Sequence, residues 1–186
     1  MEFSLIRAIP QDAEELARIM ERVTAGVDNP AWFMDDDIVY IKEHIGHEPL
    51  KKEDLGFILK AVTVVDGKEQ IAGFFMAAFP GLSEKNLGHH ISLGESDLLK
   101  VAHMDSVVIL PEFRGYGLQY KLIAKAEEVI ARETEYRILM ATVHPDNKYS
   151  LKNVLAHGYE VAAKALKYGG YPRYIMKKEI ETWRSN

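Results

Sequence analysis

The sequence of 186 residues contains no cysteine. This absence excludes disulfide bonds, zinc sites with thiolate ligands and any catalytic route through a covalent acyl-cysteine. Long runs of Lys and Arg are also absent, so the sequence has no electrostatic footprint for a nucleic acid, and we expect no nucleic-acid partner. The 23 basic and 28 acidic residues give a net charge of −5, which weakly favours a cationic or amine ligand.

The sequence also lacks a long hydrophobic run. Its longest apolar patch, Ala72–Phe79, is too short to span a bilayer, and the first residues have no signal-peptide pattern. We therefore expect a cytoplasmic protein without a membrane partner. A hydrophobic content of 47% and a charged content of 27% are typical of a soluble globular protein, and the length suits one domain over residues 1–186.

The most informative segment joins a strand, a tight turn and a helix. Val107–Leu110 is an apolar run typical of a buried strand, and Pro111 ends it. Arg114–Gly117 reads Arg-Gly-Tyr-Gly, a glycine-bearing turn, and apolar residues recur at helical spacing from Leu118 to Ile130. Backbone N–H groups and the helix dipole at such a junction form an anion site, which suits a pyrophosphate.

Two common phosphate motifs do not fit this junction. The dinucleotide fingerprint G-x-G-x-x-G and the P-loop, each started at Gly115, both require a glycine at the position of Tyr120. The P-loop also needs Ser or Thr after its lysine, whereas Lys121 is followed by Leu122. Taken alone, the junction leaves an ordinary strand-to-helix turn as the alternative to an anion site.

The junction resembles the V-x-P-x-x-R-G-x-G-x-G/A pattern of the GNAT superfamily of acyl-CoA N-acyltransferases. Residues 109–119 read Ile-Leu-Pro-Glu-Phe-Arg-Gly-Tyr-Gly-Leu-Gln, so Gln119 stands where the family usually has Gly or Ala. A second family motif, N-x-x-(S/A) followed by a helix end at G-(F/Y), is similar to the segment that contains Asn147, Ser150 and Gly158. Gly158 is also a natural helix C-cap.

The resemblance implies a single-domain α/β (α+β) fold: a mixed, mostly antiparallel sheet, flanked by helices and splayed between its two central strands. The hydrophobic pattern agrees, because it predicts the order strand, helices, three strands, helix, strand, helix, two strands. The predicted strands are Phe3–Ile9, Phe57–Val65, Gln70–Phe79, a strand within Asp97–Leu110, Ile138–Val143, Tyr159–Leu166 and Arg173–Lys178.

The co-substrate that the resemblance implies is acetyl-CoA, with no metal. Its pantetheine would enter the gap between the central strands, and a strand N–H near Val108 or Ile109 would polarise the thioester carbonyl. N–H groups after the central strand would hold the pyrophosphate. The cofactor-binding residues implied in this way are Val107, Val108, Ile109, Arg114, Gly115, Tyr116, Gly117, Leu118, Gln119, Asn147, Ser150 and Asn153.

The resemblance also implies direct transfer, in which an amine attacks the thioester in a ternary complex, so the protonated amine needs a base. Asp105 is the first candidate, acting through water, because family members with a Glu base often carry it at this position. Strand alternation puts His103 on the same face, where it would bind substrate or relay protons. The alternatives are a strand-edge acid for Asp105 and a satisfied polar residue for His103. His144 ends the other central strand.

Protonation of the leaving thiolate is less well specified. Many family members use a tyrosine where this sequence has Val154. The nearest replacement in sequence is Tyr149, whose alternative reading is a packing or surface tyrosine. Proton delivery from water is a further alternative.

Two segments are predicted to border the acceptor, and no metal site is predicted. Pro80–Glu95 would form a substrate-side loop. Tyr168–Arg173 would form either an opposite wall or a plain turn between strands. The acids at the start of a predicted helix, Asp35–Ile45, suit capping rather than metal binding. His89 and His90 lack the i, i+4 spacing of a helical metal pair.

The leading hypothesis is an acetyl-CoA-dependent N-acetyltransferase acting on a small-molecule amine or a peptide. A domain that binds acyl-CoA with little catalysis is the first alternative, and Val154 and Gln119 favour it. A protein or peptide N-acetyltransferase needs an open acidic groove, which a closed pocket under Pro80–Glu95 would oppose. O-acyl transfer is the third alternative. The resemblance also implies a homodimer.

Overall fold

The computed structural model describes residues 1–27, 29–33 and 36–181. Its helices and strands follow the predicted order, except that a short helix that was not predicted, Glu95–Leu98, precedes the central strand. The strands are β1 (Ser4–Arg7), β2 (Gly56–Val65), β3 (Lys68–Ala78), β4 (Val101–Ile109), β5 (Ile138–Val143), β6 (Glu160–Lys167) and β7 (Tyr171–Glu179). The α-helices are α1 (Ala13–Ala25), α2 (Ile38–Glu43), α3 (Glu95–Leu98), α4 (Leu118–Glu133) and α5 (Lys148–Ala156). Within the described ranges, no helix has the length and apolarity needed to cross a membrane.

The strands form one sheet in the order β1-β2-β3-β4-β5-β7-β6. Neighbouring strands are antiparallel except at the centre, where β4 and β5 are parallel. Helix α4 makes the crossover between these two strands, and its predicted apolar stripe is buried. The predicted fold class, a mixed and mostly antiparallel sheet with flanking helices, is therefore confirmed.

The two central strands separate after a short ladder. β4 and β5 pair only from Val101 with Ile138 to His103 with Met140. Beyond this point β4 continues to Ile109 along β3, and β5 continues to Val143 along β7. The predicted splay is thus present, and it opens toward the carboxyl ends of both strands.

A β-bulge interrupts β4 where the gap begins. Met104 lies opposite Ala77 and Ser106 lies opposite Met76, so Asp105 is the extra residue of the bulge. A bulged residue leaves the regular ladder and turns its strand. The bulge therefore re-aims the side chain of Asp105, and simple period-two alternation from His103 does not carry across it.

One face of the sheet beside the gap is covered by a small apolar cluster. Its buried members are Leu87, Val101, Ile138, Met140 and Ile175. Because alternate residues of a strand share a face, His103, Thr142 and Arg173 lie on this same face, each two residues from a cluster member. The cluster packs under the segment 80–95, which includes a short 3-10 turn, Leu87–Ile91.

The acids predicted to cap a helix differ in role. α2 is shorter than predicted, and Asp37 is its N-cap, because its carboxylate accepts a hydrogen bond of 2.8 Å from the backbone N–H of Tyr40. Asp36 instead accepts a hydrogen bond from the Ser106 hydroxyl at 3.0 Å, which ties the chain before α2 to β4. Asp35 lies outside the described residues.

Candidate active site

A cavity of about 630 Å³ occupies the gap between β4 and β5. Residues 103–107 of β4 form one wall and residues 140–143 of β5 form another. Side chains from α2, α4, α5 and the start of β7 complete it. Among the described residues, no group of three or more His, Asp or Glu side chains is placed to hold a metal ion.

The turn before α4 has the geometry of an anion site. Gly115 and Gly117 have φ values of 87° and 70°, a left-handed conformation that favours glycine. Gly117 is the N-cap of α4, and the first intrahelical hydrogen bond runs from the Lys121 N–H to the Gly117 carbonyl. Helix geometry therefore leaves the N–H groups of residues 118–120 without an intrahelical acceptor. The first turn has no acidic residue to compete with a bound anion.

The predicted residues around this turn contribute in different ways. Arg114 and Tyr116 are exposed, and the Tyr116 ring packs on Phe3 at a centroid distance of 5.3 Å. The Leu118 side chain is buried in the core, so only its backbone can face a ligand.

Gln119 points toward α5. Its Oε1 atom accepts a hydrogen bond of 3.0 Å from the Asn153 amide, and its Nε2 atom lies 3.5 Å from the Ser150 hydroxyl. Asn147 caps α5, because its side chain accepts from the Ser150 N–H at 3.1 Å. Four residues predicted from separate motifs therefore meet where α4 and α5 approach each other.

The free edge of β4 presents backbone donors to the gap. The Leu110 N–H donates to the Ala72 carbonyl at 3.0 Å, toward β3. Successive N–H groups of a strand point to opposite edges, so the N–H of Val108 also faces β3, and those of Val107 and Ile109 face the gap. Val108 is fully buried, whereas Val107 lines the cavity.

Asp105 lies on the cavity wall and is hydrogen-bonded to a residue that sequence reasoning missed. The Tyr40 hydroxyl donates to its carboxylate at 3.1 Å. Desolvation by the surrounding protein raises the pKa of Asp105, although solvent reaches the carboxylate through the cavity, and the hydrogen bond from Tyr40 opposes this rise. Burial, then the charge of Asp105, raises the pKa of Tyr40, so its hydroxyl stays protonated and remains a donor.

His103 is held neutral with a defined tautomer. Its Nε2 atom accepts a hydrogen bond of 3.0 Å from the Leu87 N–H, so Nδ1 carries the ring proton. Burial and, secondarily, the charge of Lys167 lower the pKa of His103 to about 4. The contact also fastens the segment 80–95 to β4, and Asn86 reinforces it by donating to the carbonyls of Gly81 and Leu98 at 2.7 and 3.0 Å.

The other candidate proton donors differ in position. Tyr149 is 82% exposed and does not contribute to the cavity wall. His144 is buried and lines the cavity directly after β5. Its Nδ1 atom accepts from the Asp146 N–H at 3.2 Å, so the ring proton is on Nε2.

Tyr168 and Arg173, the two ends of the segment predicted as a wall, both line the cavity. The Tyr168 hydroxyl lies 3.2 Å from the Thr142 hydroxyl, and the Arg173 guanidinium lies over the Tyr168 ring at 5.1 Å. The site therefore combines an N–H-lined gap, an acid that faces the cavity and a wall that carries cations.

Comparison with known proteins gives a family and a fold. A model described as the acetyltransferase (GNAT) family matches residues 22–159. A GNAT-family acetyltransferase from Streptococcus pneumoniae is 21% identical, covering 96% of this chain and 99% of that one, with a TM-score of 0.68. Arabidopsis thaliana NAA60, solved with a bisubstrate analogue, is 12% identical, with coverages of 97% and 100% and a TM-score of 0.69.

A third similar structure was solved with a cofactor bound. It is yncA from Salmonella typhimurium in complex with acetyl-CoA, which is 14% identical, with coverages of 100% and 98% and a TM-score of 0.63. At these identities the three structures share the fold with this chain. No curated protein matches the sequence closely enough to count as a relative.

Removal of the Tyr40 hydroxyl tests the contact with Asp105. Because this hydrogen bond favours the ionised carboxylate, we expect the pKa of Asp105 to rise in Tyr40→Phe. A carboxyl-carbon NMR titration of protein labelled at Asp measures the change. The control Tyr136→Phe removes a hydroxyl outside the cavity and should leave the titration unchanged. An Asp105 pKa that stays constant or falls in Tyr40→Phe contradicts the assigned contact.

Proposed function

The chain belongs to the GNAT family of acetyltransferases, and on this premise we propose that it transfers an acetyl group from acetyl-CoA to a primary amine. The observation that carries the proposal is a row of backbone N–H groups that is free to bind a ligand. The row runs from the free edge of β4 to the glycine turn at the start of α4. The acetyl-CoA bound in the Salmonella typhimurium structure supports the same donor here.

The donor would bind along this row of N–H groups. Its pyrophosphate would accept hydrogen bonds from the backbone of Gly115 to Gln119, where the α4 dipole adds partial positive charge. Its pantetheine would lie in the gap, with Asn147, Ser150 and Asn153 on the α5 side. The N–H of Ile109, which faces the gap, would bind the thioester oxygen as negative charge develops on it.

The chemical step would proceed by direct attack. Asp105 accepts a proton from the acceptor ammonium, directly or through water, which frees the nitrogen lone pair. The nitrogen attacks the thioester carbon, a C–N bond forms, and the oxyanion is held by backbone N–H groups. The C–S bond then breaks, and the CoA thiolate takes up a proton while the nitrogen loses its second one. The raised pKa of Asp105 suits a base that must also release its proton in each cycle.

The proton for the thiolate has two candidate donors. Tyr149 stays the prediction from the family motif, although it lies outside the cavity wall. His144 lines the cavity and carries a proton on Nε2, which supports it as the alternative. Loss of turnover in His144→Gln but not in Tyr149→Phe would assign the role to His144, and the reverse result would assign it to Tyr149.

The segment 80–95, which hydrogen bonds anchor beside the cavity, favours a small acceptor over a protein chain. Buried Asn86 and the Leu87–His103 hydrogen bond hold this segment over the sheet face that borders the cavity. A domain that only binds acyl-CoA is the second candidate, because Val154 occupies the position of the usual general acid. Acceptor-dependent release of CoA thiol would exclude that candidate. The homodimer and the cytoplasmic location stay predictions.

Substitution of Gly117 by Glu tests the donor site. A carboxylate placed among the N–H groups before α4 should repel the pyrophosphate, so we expect no measurable acetyl-CoA binding by calorimetry. The control Gly67→Glu places the same side chain at a similar φ of 75°, in the β2–β3 hairpin outside the cavity, and should bind normally. Normal affinity in a folded Gly117→Glu protein would refute the site.

Substitution of Asp105 by Asn tests the base. We expect kcat/KM at neutral pH to fall by about 100-fold or more, with little change in the acetyl-CoA Kd. In the wild type, kcat/KM should decrease as the pH falls through the raised pKa of Asp105, because the protonated carboxyl cannot accept a proton. Asp105→Asn should lose this limb of the profile. Asp97→Asn, in an exposed ion pair with Lys100, is the control. An unchanged profile in Asp105→Asn removes it as the base.

A further inference from the structure

Arg173 is a buried cation without an acidic partner among the residues that the structure describes. It is 3% exposed, lines the cavity, and forms a hydrogen bond of 3.2 Å with the carbonyl of the adjacent Pro172. It forms no ion pair with any Asp or Glu in the ranges 1–27, 29–33 and 36–181. Burial lowers its pKa, and no carboxylate offsets that effect. The guanidinium is stabilised mainly by its position over the Tyr168 ring, at 5.1 Å from the centroid.

Lys167 is a second cation on the same wall. It precedes Tyr168 and lines the cavity, with its Nζ atom 5.8 Å from the centroid of that ring. The Nζ atom of Lys167 lies 3.4 Å from Nε2 of His90, within hydrogen-bonding distance. Burial lowers the pKa of Lys167, and burial and the charge of Lys167 lower that of His90. Among the residues that the structure describes, no Asp or Glu forms an ion pair with Lys167.

The acids of the cavity are engaged elsewhere. Asp105 accepts from Tyr40, Asp36 accepts from Ser106, and Asp37 caps α2. A charge removed from water costs free energy unless an opposite charge or strong hydrogen bonds compensate. The buried Arg173, with the half-buried Lys167 beside it on the same cavity wall, is therefore arranged for an anion that arrives with a ligand. A planar guanidinium matches a carboxylate or phosphate group in two parallel hydrogen bonds.

Tyr168 lies near both the acidic and the cationic side chains of the cavity. Its ring contacts Arg173 and Lys167, and its hydroxyl is within the field of Asp105 and Asp36 as well as that of Arg173. The acidic and cationic parts of the cavity therefore border the same side chain. A compact ligand with charges of both signs fits this arrangement better than a long polyamine.

We propose that the acceptor is a small zwitterionic amine, whose amine faces Asp105 and whose anionic carboxylate or phosphate group binds Arg173 and Lys167. This assignment rests on the proposed transferase function and names its acceptor class. Arg173 and Lys167 act as specificity-determining residues, because they bind a part of the acceptor that does not react.

An acceptor panel of matched pairs tests the assignment. Release of CoA thiol is measured with α-, β- and ω-amino acids, each paired with its carboxamide, and with phosphoethanolamine paired with ethanolamine. Spermidine represents amines without an anion. We expect kcat/KM to be at least about tenfold higher for the anionic member of one or more pairs, because the anion gains charge-assisted hydrogen bonds. The chain length and the anion of the preferred pair distinguish a carboxylate from a phosphate.

Three variants test whether this preference depends on Arg173 and Lys167, which together we call the cation wall. In Arg173→Met and in the less buried Lys167→Met, we expect the preference to fall to about twofold or less, while the acetyl-CoA Kd is unchanged. Lys164→Met is the control, because Lys164 lies on the same strand, β6, and outside the cavity wall. If Arg173→Met does not fold, Lys167→Met alone decides whether the preference depends on the cation wall.

The outcomes separate the assignment from the transferase function. Acetylation of spermidine or of the neutral members with rates equal to those of the anionic members would overturn the assignment and retain the transferase. A preference that survives in Lys167→Met and Arg173→Met would overturn it as well. Acetyl-CoA binding without turnover on any member of the panel would contradict both, and so would the absence of acetyl-CoA binding.

Discussion

Hydrogen bonding between β4 and β5 stops after His103 and Met140, and the candidate site depends on that interruption. Buried backbone groups normally find partners, so an unpaired strand edge inside a sheet is costly unless something else occupies it. Here the outer edges of both strands stay paired, with β3 and β7, so the gap is kept open from both sides. The constraint leaves the N–H groups of Val107 and Ile109 available to a ligand.

Other features of the site are arranged around this gap. The bulge at Asp105 places a carboxylate where the strands part, and Tyr40 and Asp36 connect that region to the chain around α2. Beyond the end of β4, the chain passes through a short turn to Gly117, the N-cap of α4, so the proposed anion site follows the free strand edge in the chain. The His103–Leu87 hydrogen bond holds the segment 80–95 against β4, beside the cavity. One interruption in a ladder thus organises the proposed donor side and the proposed acceptor side.

Much of this arrangement could be predicted from the sequence, because the relevant signals are local. The apolar run before Pro111, the two glycines and the helical spacing from Leu118 predict a strand, a turn and a helix, and all three are present. The splay followed from the family resemblance, since no local pattern specifies where a ladder ends. The orientation of the Gln119 side chain could not be predicted locally, because its partners Asn153 and Ser150 lie on another helix.

The bulge and its partners could not be predicted in the same way. Period-two alternation assumes a regular strand, so Asp105 as an extra residue is visible only in the register with β3. Tyr40 is separated from Asp105 by 65 residues. The sequence around Tyr40 predicts a helix, but it does not indicate a contact with Asp105. The burial of Arg173 likewise depends on the folded chain, because the sequence shows a cation but not whether it is buried or which acid lies near it.

The most direct test of the central claim is amide hydrogen exchange with and without acetyl-CoA. If the gap is the donor site, the amides of Val107 and Ile109, and those from Gly115 to Gln119, should exchange more slowly when acetyl-CoA is bound. The β2–β3 hairpin around Gly67 should be unaffected and serves as the internal reference. Binding that leaves the exchange of Val107, Ile109 and the glycine turn unchanged would contradict the claim that the interrupted ladder holds the donor.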